Sequence, residues 1–246
     1  DHRDLHSFPT RRSSDLASLN GYESAFYVGD EYKKSVIEAM DIEQLVDIVL
    51  TNPTVTVKES LRDTGFTASY RFEPLSNIIF VRDQQVTTRK GIVMARLRSP
   101  QRQNEVDVME FCLRKLGLNV IARIPEPGHL EGGDFFPAGE DLCFVGVGSR
   151  SDMVAVEYML ENDLFGTRRV AVVHDRFEAI QERMHLDTVF NILSRNCVLM
   201  LKDMMGSDSP TRRTVDEYVY NPSGLPVYKK LRTDIEFSDY VRSEGY

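Results

Sequence analysis

From Leu75 onward, apolar runs and helical patterns alternate at a regular interval. The runs Gly91–Leu97, Leu118–Ile124, Leu142–Val147 and Arg169–Val173 are the length of buried strands. Between the first two lies a helical stripe of Val106, Met109, Leu113 and Leu116. Asn104 is its expected N-cap, Glu105 and Asp107 fill its first turn, and Gly117 stops it. Between the third and fourth runs, Ser151 and Asp152 open a second helix that offers Val154, Val156, Met159 and Leu160 to a core. Each unit reads strand, arginine, helix, strand, with Arg102 and Arg150 just ahead of the helices. An acidic motif recurs alongside: Asn77–Asp83, His129–Asp134 and Met184–Phe190. Asp83, Asp134 and Asp187 are spaced by roughly 50 residues, a period typical of propeller blades. Stacked units would bring the acidic motifs and both arginines to one end of a central axis. Val198–Leu201 reads as another strand, and Thr214–Tyr220 with Val227–Leu231 as a hairpin about Asn221-Pro222-Ser223-Gly224.

The segment ahead of these units is different. Residues 17–74 read as part of a small helical subdomain. Tyr32–Met40 is a good helix former. Asp41 is placed to cap the next helix, with Gln44 at the capping-box position. Thr54 is the expected cap of a third helix, Val55 to Arg62. Residues 1–16 have no apolar periodicity and resemble a translated sequencing-adapter stretch, so they read as a non-native artefact. A transit peptide fits less well, because Asp1, Asp4 and Asp15 balance Arg3, Arg11 and Arg12.

Composition narrows the function. At 246 residues and 41% apolar content the chain can bury a core as one or two domains. A net charge of −8 argues against a nucleic-acid groove. No apolar run approaches the roughly 18 residues of a membrane span. Cys112, Cys143 and Cys197 show neither metal nor redox spacing, and each reads as a buried cysteine. Their odd number, with no secretory signal, fits a reducing cytoplasm.

The candidate chemistry lies in the acidic motifs. In an extended segment His185 and Asp187 would face one site together, with Leu186 turned into the core. Carboxylates converging with a histidine and no lysine point to a cationic substrate. A planar guanidinium pairs with carboxylates through parallel hydrogen bonds, so Asp83 and Asp187 suit its two faces. Glu131 would neutralise the remaining charge and orient His185. Arg102 and Arg150 suit a substrate carboxylate. Taken singly, each motif has a structural reading: EGGD as a turn, His185 as a core histidine, Asp83 as an ion-pair partner of Arg82, Phe80 as core. His129 reads as structural. Two readings of other classes stand beside this one. In the first, His129, Glu131, Asp134, His185 and Asp187 ligate a divalent ion of a metal-dependent hydrolase. In the second, the chain binds arginine without catalysis.

The ordered set NIIFVRD (Asn77 to Asp83), RQNE at Arg102, EGGD (Glu131 to Asp134), GVGSR ending at Arg150, and HLDT (His185 to Thr188) resembles arginine deiminases of the guanidino-group-modifying, or pentein, superfamily. The resemblance covers about Ala17 to Tyr246. It implies an α/β fold, a fivefold α/β propeller with an inserted small helical domain, of which residues 75–246 would form a part. It implies catalytic roles for Asp83, Glu131, His185 and Asp187, substrate-binding roles for Asn77, Phe80, Arg102 and Arg150, L-arginine as substrate, and no metal or other cofactor. Amidinotransferase and dimethylarginine hydrolase remain alternatives within the superfamily. The resemblance leaves a homo-oligomer of the complete protein open. It also implies a nucleophilic cysteine in a glycine-rich loop beyond Tyr246, so the expectation is a truncated deiminase unable to complete the reaction.

Overall fold

The computed structural model describes residues 30–61, 66–177 and 181–246. The chain divides into two compact units, residues 1–78 and 79–246. The expected artefact, residues 1–16, lies outside the described residues.

In the first unit α1 spans Asp30–Ala39 and α2 spans Ile42–Thr51. Asp41 caps α2 as its sequence position predicts. Its carboxylate accepts from Gln44 N at 2.8 Å, and Asp41 N donates to Gln44 Oε1 at 3.0 Å. The expected third helix is a strand instead. β1 (Pro53–Glu59) pairs antiparallel with β2 (Phe66–Phe72). The residues decide this: Val55, Thr56 and Val57 are β-branched neighbours, which lose side-chain freedom in a helix and suit a pleated hairpin.

The second unit carries the repeat. β3 (Gln85–Thr87) pairs antiparallel with β4 (Ile92–Met94); α3 (Gln103–Lys115) then crosses to β5 (Val120–Arg123), parallel to β4. The same order returns in β6 (Phe135–Pro137), antiparallel to β7 (Leu142–Val147), and α4 (Met153–Glu161), which leads to β8 (Arg169–His174), parallel to β7. β9 (Phe190–Ser194) and β10 (Cys197–Met200) make a third hairpin. The hairpin read about Asn221-Pro222-Ser223-Gly224 is present as β11 (Thr214–Tyr220) and β12 (Tyr228–Glu236), followed by α5 (Phe237–Ser243). It extends the central sheet to the order β12-β11-β8-β7-β6. The unit is therefore α/β with mixed sheets. Among the described residues the strands form four separate sheets, and a closed fivefold ring is not formed.

β7 and β8 are buried on both faces, which is why they read as continuous apolar runs. Cys143, Val145, Val170 and Val172 pack against Ala155, Val156 and Met159 of α4. Phe144, Ala171 and Val173 face the opposite way, toward Phe190, Val215, Phe237 and Tyr240. Phe144 meets Phe190, Phe237 and Tyr240 edge-on at centroid distances of 5.5, 5.9 and 6.0 Å, and aromatic pairs favour this arrangement.

The start of α3 differs from expectation. A 3-10 turn, Pro100–Arg102, leads in, and the helix begins at Gln103, so Asn104 lies inside it. Pro100 fixes the first turn. Arg102 binds back to Glu105 in place of a side-chain cap. Asp152 caps α4 as read, accepting from Ala155 N at 3.1 Å. Two of the cysteine readings also change. Cys143 is buried, with its thiol pushed up to about 12 by burial, but Cys112 and Cys197 are exposed. Cys112 lies one step round α3 from the inward Leu113, and Cys197 sits at the tip of the β9–β10 hairpin.

Candidate active site

The three acidic motifs are the turns that lead into β3, β6 and β9, and in the second unit these turns pack on one another. Gly132 N donates to Asp83 O at 3.1 Å, and Arg82 Nε donates to Gly132 O at the same distance. The EGGD motif is a 3-10 turn over Gly132–Asp134, with Glu131 extended ahead of it. Its glycines are there for close approach. A Cβ on Gly132 would fall 1.8 Å from Arg82 O, and one on Gly133 would lie 2.6 Å from His185 Nδ1. Gly132→Ala therefore drives a methyl group against backbone carbonyls, with no flexible side chain to yield. It should destabilise the fold by about 3 kcal/mol, the upper part of the range for overpacking. A urea midpoint equal to that of the parent would remove this contact from the argument.

His185 is extended, but Leu186–Thr188 forms a second 3-10 turn, so the expected straight i, i+2 arrangement is not what brings His185 and Asp187 together. Leu186 is buried in the aromatic core, as read, and anchors the turn. Thr188 Oγ1 donates to His185 O at 2.6 Å. His185 is 5% exposed and Glu131 1% exposed; His185 Nε2 donates to Glu131 Oε2 at 2.7 Å. Arg98 N donates to the other oxygen of Glu131 at 2.8 Å.

These contacts set the protonation states. Burial pushes the Glu131 carboxyl upward. The hydrogen bonds from His185 and Arg98 N, with the charges of His185 and Arg150, outweigh it and leave it below its usual value. Burial lowers the His185 pKa, but the bond to Glu131 and the charges of Asp134, Glu131 and Asp83 raise it above the ordinary value. Asp187 is half-buried. Burial and the charge of Asp83 raise its pKa more than His185 and Arg82 lower it. The charge of Asp83 thus disfavours the ionised form of Asp187, and a cation at Asp187 relieves that.

The arginines are engaged. Arg102 Nη1 donates to Asp83 Oδ2 at 3.0 Å, and Arg102 binds Glu105 through Nε and Nη2 at 3.1 and 2.9 Å. Arg150 Nη2 lies 3.4 Å from Met184 Sδ, beside the motif that carries His185. Asp83, Arg102, Glu131, Arg150, His185 and Asp187 are therefore gathered in one region of the second unit. Phe80 belongs to the same unit, 59% exposed, three residues ahead of Asp83. Asn77 is an exposed residue of the first unit.

The sequence reading gives three residues no part in the guanidinium site. Arg82 pairs with Asp187 at 3.5 Å, donates to Phe135 O at 2.9 Å and lies over the Phe136 ring. Asp83, its expected partner, pairs with Arg102 instead. Asp134 and Ser151 are buried and bonded to each other at 2.6 Å. The only signal for them was position, at the end of EGGD and just ahead of a helix. His129 sits apart, its N and Nδ1 donating to Asp152 at 3.1 and 3.0 Å. Among the described residues no group of three or more His, Cys, Asp or Glu side chains is placed to hold a metal ion. Among them, too, no helix is long and apolar enough to cross a membrane.

Comparison with known proteins decides the family. The profile of the arginine deiminase family matches residues 15–239. The chain belongs to the arginine deiminase family. An arginine deiminase of Halobacterium salinarum is 27% identical over 75% of this chain and 49% of its own length. One of Listeria monocytogenes is 32% identical over 70% of this chain and 44% of its own. The chain thus spans about half the length of the curated relatives it matches. Among solved structures, DDAH from Pseudomonas aeruginosa complexed with citrulline is similar at 23% identity, with a TM-score of 0.42 over 50% of this chain and 46% of that one.

Proposed function

We propose that the complete protein hydrolyses L-arginine to L-citrulline and ammonia. The observation that carries this is Asp187, a half-buried carboxylate whose ionisation is disfavoured by burial and by the nearby charge of Asp83, beside the buried, hydrogen-bonded Glu131–His185 pair. Such a site favours a planar cation, and membership of the family favours the guanidinium of arginine. Asp83 and Asp187 hold the guanidinium nitrogens, and Glu131 and His185 stand at its carbon. Phe80, Arg102 and Arg150 position the amino-acid end.

A cysteine thiolate attacks the guanidinium carbon. The C–N bond to one terminal nitrogen breaks, and ammonia departs with a proton from His185. The neutral imidazole then takes a proton from water, whose oxygen attacks the same carbon. The C–S bond breaks, citrulline leaves, and the thiolate is restored. The thiolate is assigned to none of Cys112, Cys143 and Cys197. Cys143 is buried with its pKa raised, and none of the three lines the small cavity beside His185.

The test is a product assay on the complete protein with arginine, agmatine and methylated arginines. Arginine should yield citrulline and ammonia in equal amounts; turnover of agmatine or a methylated arginine in its place would overturn the substrate assignment. The same assay separates the arginines. Arg150→Ala should lower kcat/KM for arginine by roughly 10- to 100-fold, the loss of one charged hydrogen bond, and leave residual agmatine turnover unchanged, because agmatine has no carboxylate. Arg102→Ala should weaken arginine more than agmatine, with some loss on both because Arg102 also bonds Asp83. A loss shared equally by both substrates would instead assign Arg102 to holding Asp83, the contact it already makes.

A further inference from the structure

Asp134 is the one carboxylate of the three acidic motifs given no role above, and it is the most deeply connected of them. It is 4% exposed. Oδ1 accepts from Leu186 N at 2.8 Å, the amide immediately after His185. Oδ2 accepts from Ser151 Oγ at 2.6 Å, and Ser151 Oγ accepts from Glu131 N at 3.0 Å. A ring of contacts closes: Glu131 side chain to His185 side chain, His185 backbone to Asp134, Asp134 through Ser151 back to Glu131 backbone. The fold clears space for this group. A Cβ on Gly146 of β7 would fall 2.7 Å from Asp134 Oδ1 and 3.1 Å from Leu186 Cβ.

We propose that Asp134 is the positioning residue of the Glu131–His185 pair, one carboxylate that fixes both the backbone carrying the acid and the backbone carrying the imidazole. A buried carboxylate is costly to keep, so a site that needed only a turn would end EGGD with an uncharged residue. Two charge-assisted bonds to two different turns are a better use of that charge, since a small shift of either turn would break the 2.7 Å contact between the pair. The environment agrees. Burial raises the Asp134 carboxyl to about 7, against the His185 charge and the bonds from Ser151 and Leu186. Once ionised, as pH rises through that value, Asp134 in turn supports the protonated imidazole. The other charged groups facing the pair are Asp83, acting on His185, Asp187, on which His185 acts, and Arg150, acting on Glu131. Arg213 and Asp175 border a cavity of about 10 Å³ on which Asp134 and His185 also open.

This inference rests on the placing of Glu131 and His185 at the reacting centre, and its test is chosen to be independent of turnover. The 246-residue chain is followed by NMR of its histidine side chains, with the His185 signal assigned by its loss in His185→Asn. Asp134→Asn keeps the shape and can still bond Leu186 N and Ser151, but has no charge. Its His185 pKa should fall by about one unit, the scale of a close ion-pair interaction. Ser151→Ala is the second variant. It removes one bond that favours the charged carboxylate, so Asp134 ionises later and His185 should move the same way by a smaller amount. An unchanged His185 titration in folded Asp134→Asn overturns the proposal, and so does an unchanged titration in Ser151→Ala should the first variant fail to fold. Failure of the complete protein to form citrulline would overturn the proposed function and leave this coupling intact.

Discussion

Replacing His185 by Asn in the complete protein should lower kcat for arginine by roughly 10²- to 10⁴-fold, the usual contribution of a positioned acid–base group. The residue is asked to act twice, giving a proton to departing ammonia and then taking one from water. Asn can do neither, although it can still bond Glu131. KM should change much less than kcat, because the guanidinium is held by Asp83 and Asp187 rather than by the imidazole. The pH dependence gives a second readout. His185 has its pKa raised above 6.5 chiefly by its bond to Glu131, with burial working against it. The donating form is therefore complete at low pH and is lost as pH rises through that raised value. The alkaline limb of kcat should lie above the ordinary histidine range. Glu131→Gln removes the largest raising influence and should bring the limb down. A kcat within threefold of the parent for His185→Asn, or a limb that stays in place for Glu131→Gln, would take the pair out of the chemistry.

Much of this site was legible because the repeat was. The interval between Asp83, Asp134 and Asp187 marks the same structural position three times, the turn into the first strand of a hairpin, and β4–α3–β5 returns as β7–α4–β8. Local chemistry was legible where one interaction decides it. The Asp41–Gln44 capping box and the Asn221–Gly224 turn are examples. What stayed hidden depended on contacts between distant segments. Val55 to Glu59 has a cap-like Thr54 ahead of it, yet it is a strand because β2 lies alongside. Asn104 is a good cap that is not used, because Pro100 and the Arg102–Glu105 pair start the helix earlier. Asp83 has Arg82 beside it in sequence and Arg102 beside it in space. Gly132 and Gly133 looked like relief of turn strain, and their actual constraint is the Arg82 carbonyl and the His185 ring. Asp134 ends EGGD and Ser151 opens a helix, but only the tertiary structure shows that they join the two halves of the site.

Asp187→Asn in the complete protein should cost roughly 10²- to 10⁴-fold in kcat/KM for arginine, the loss of two charged hydrogen bonds at 1.5–3 kcal/mol each. The substitution is nearly isosteric, so the effect is chemical. An Asn side chain offers one acceptor where the carboxylate offers two, and its NH2 opposes the donors of a guanidinium. The surroundings sharpen this. Asp187 is half-buried, and burial and Asp83 already resist its ionisation. Asp83 already pairs with Arg102 and Asp187 with Arg82, and a bound guanidinium adds charge-assisted bonds to both carboxylates, so much of the binding energy depends on both being present. Arg82 is the internal control. It lies 3.5 Å from Asp187 but is held independently by the Gly132 and Phe135 carbonyls. Loss of the Asp187 charge should therefore leave the turn in place, and thermal stability should change little. Arginine should lose affinity in Asp187→Asn while citrulline, with a neutral ureido group, loses much less. Equal weakening of arginine and citrulline would mean that Asp187 shapes the site without pairing with the substrate's charge.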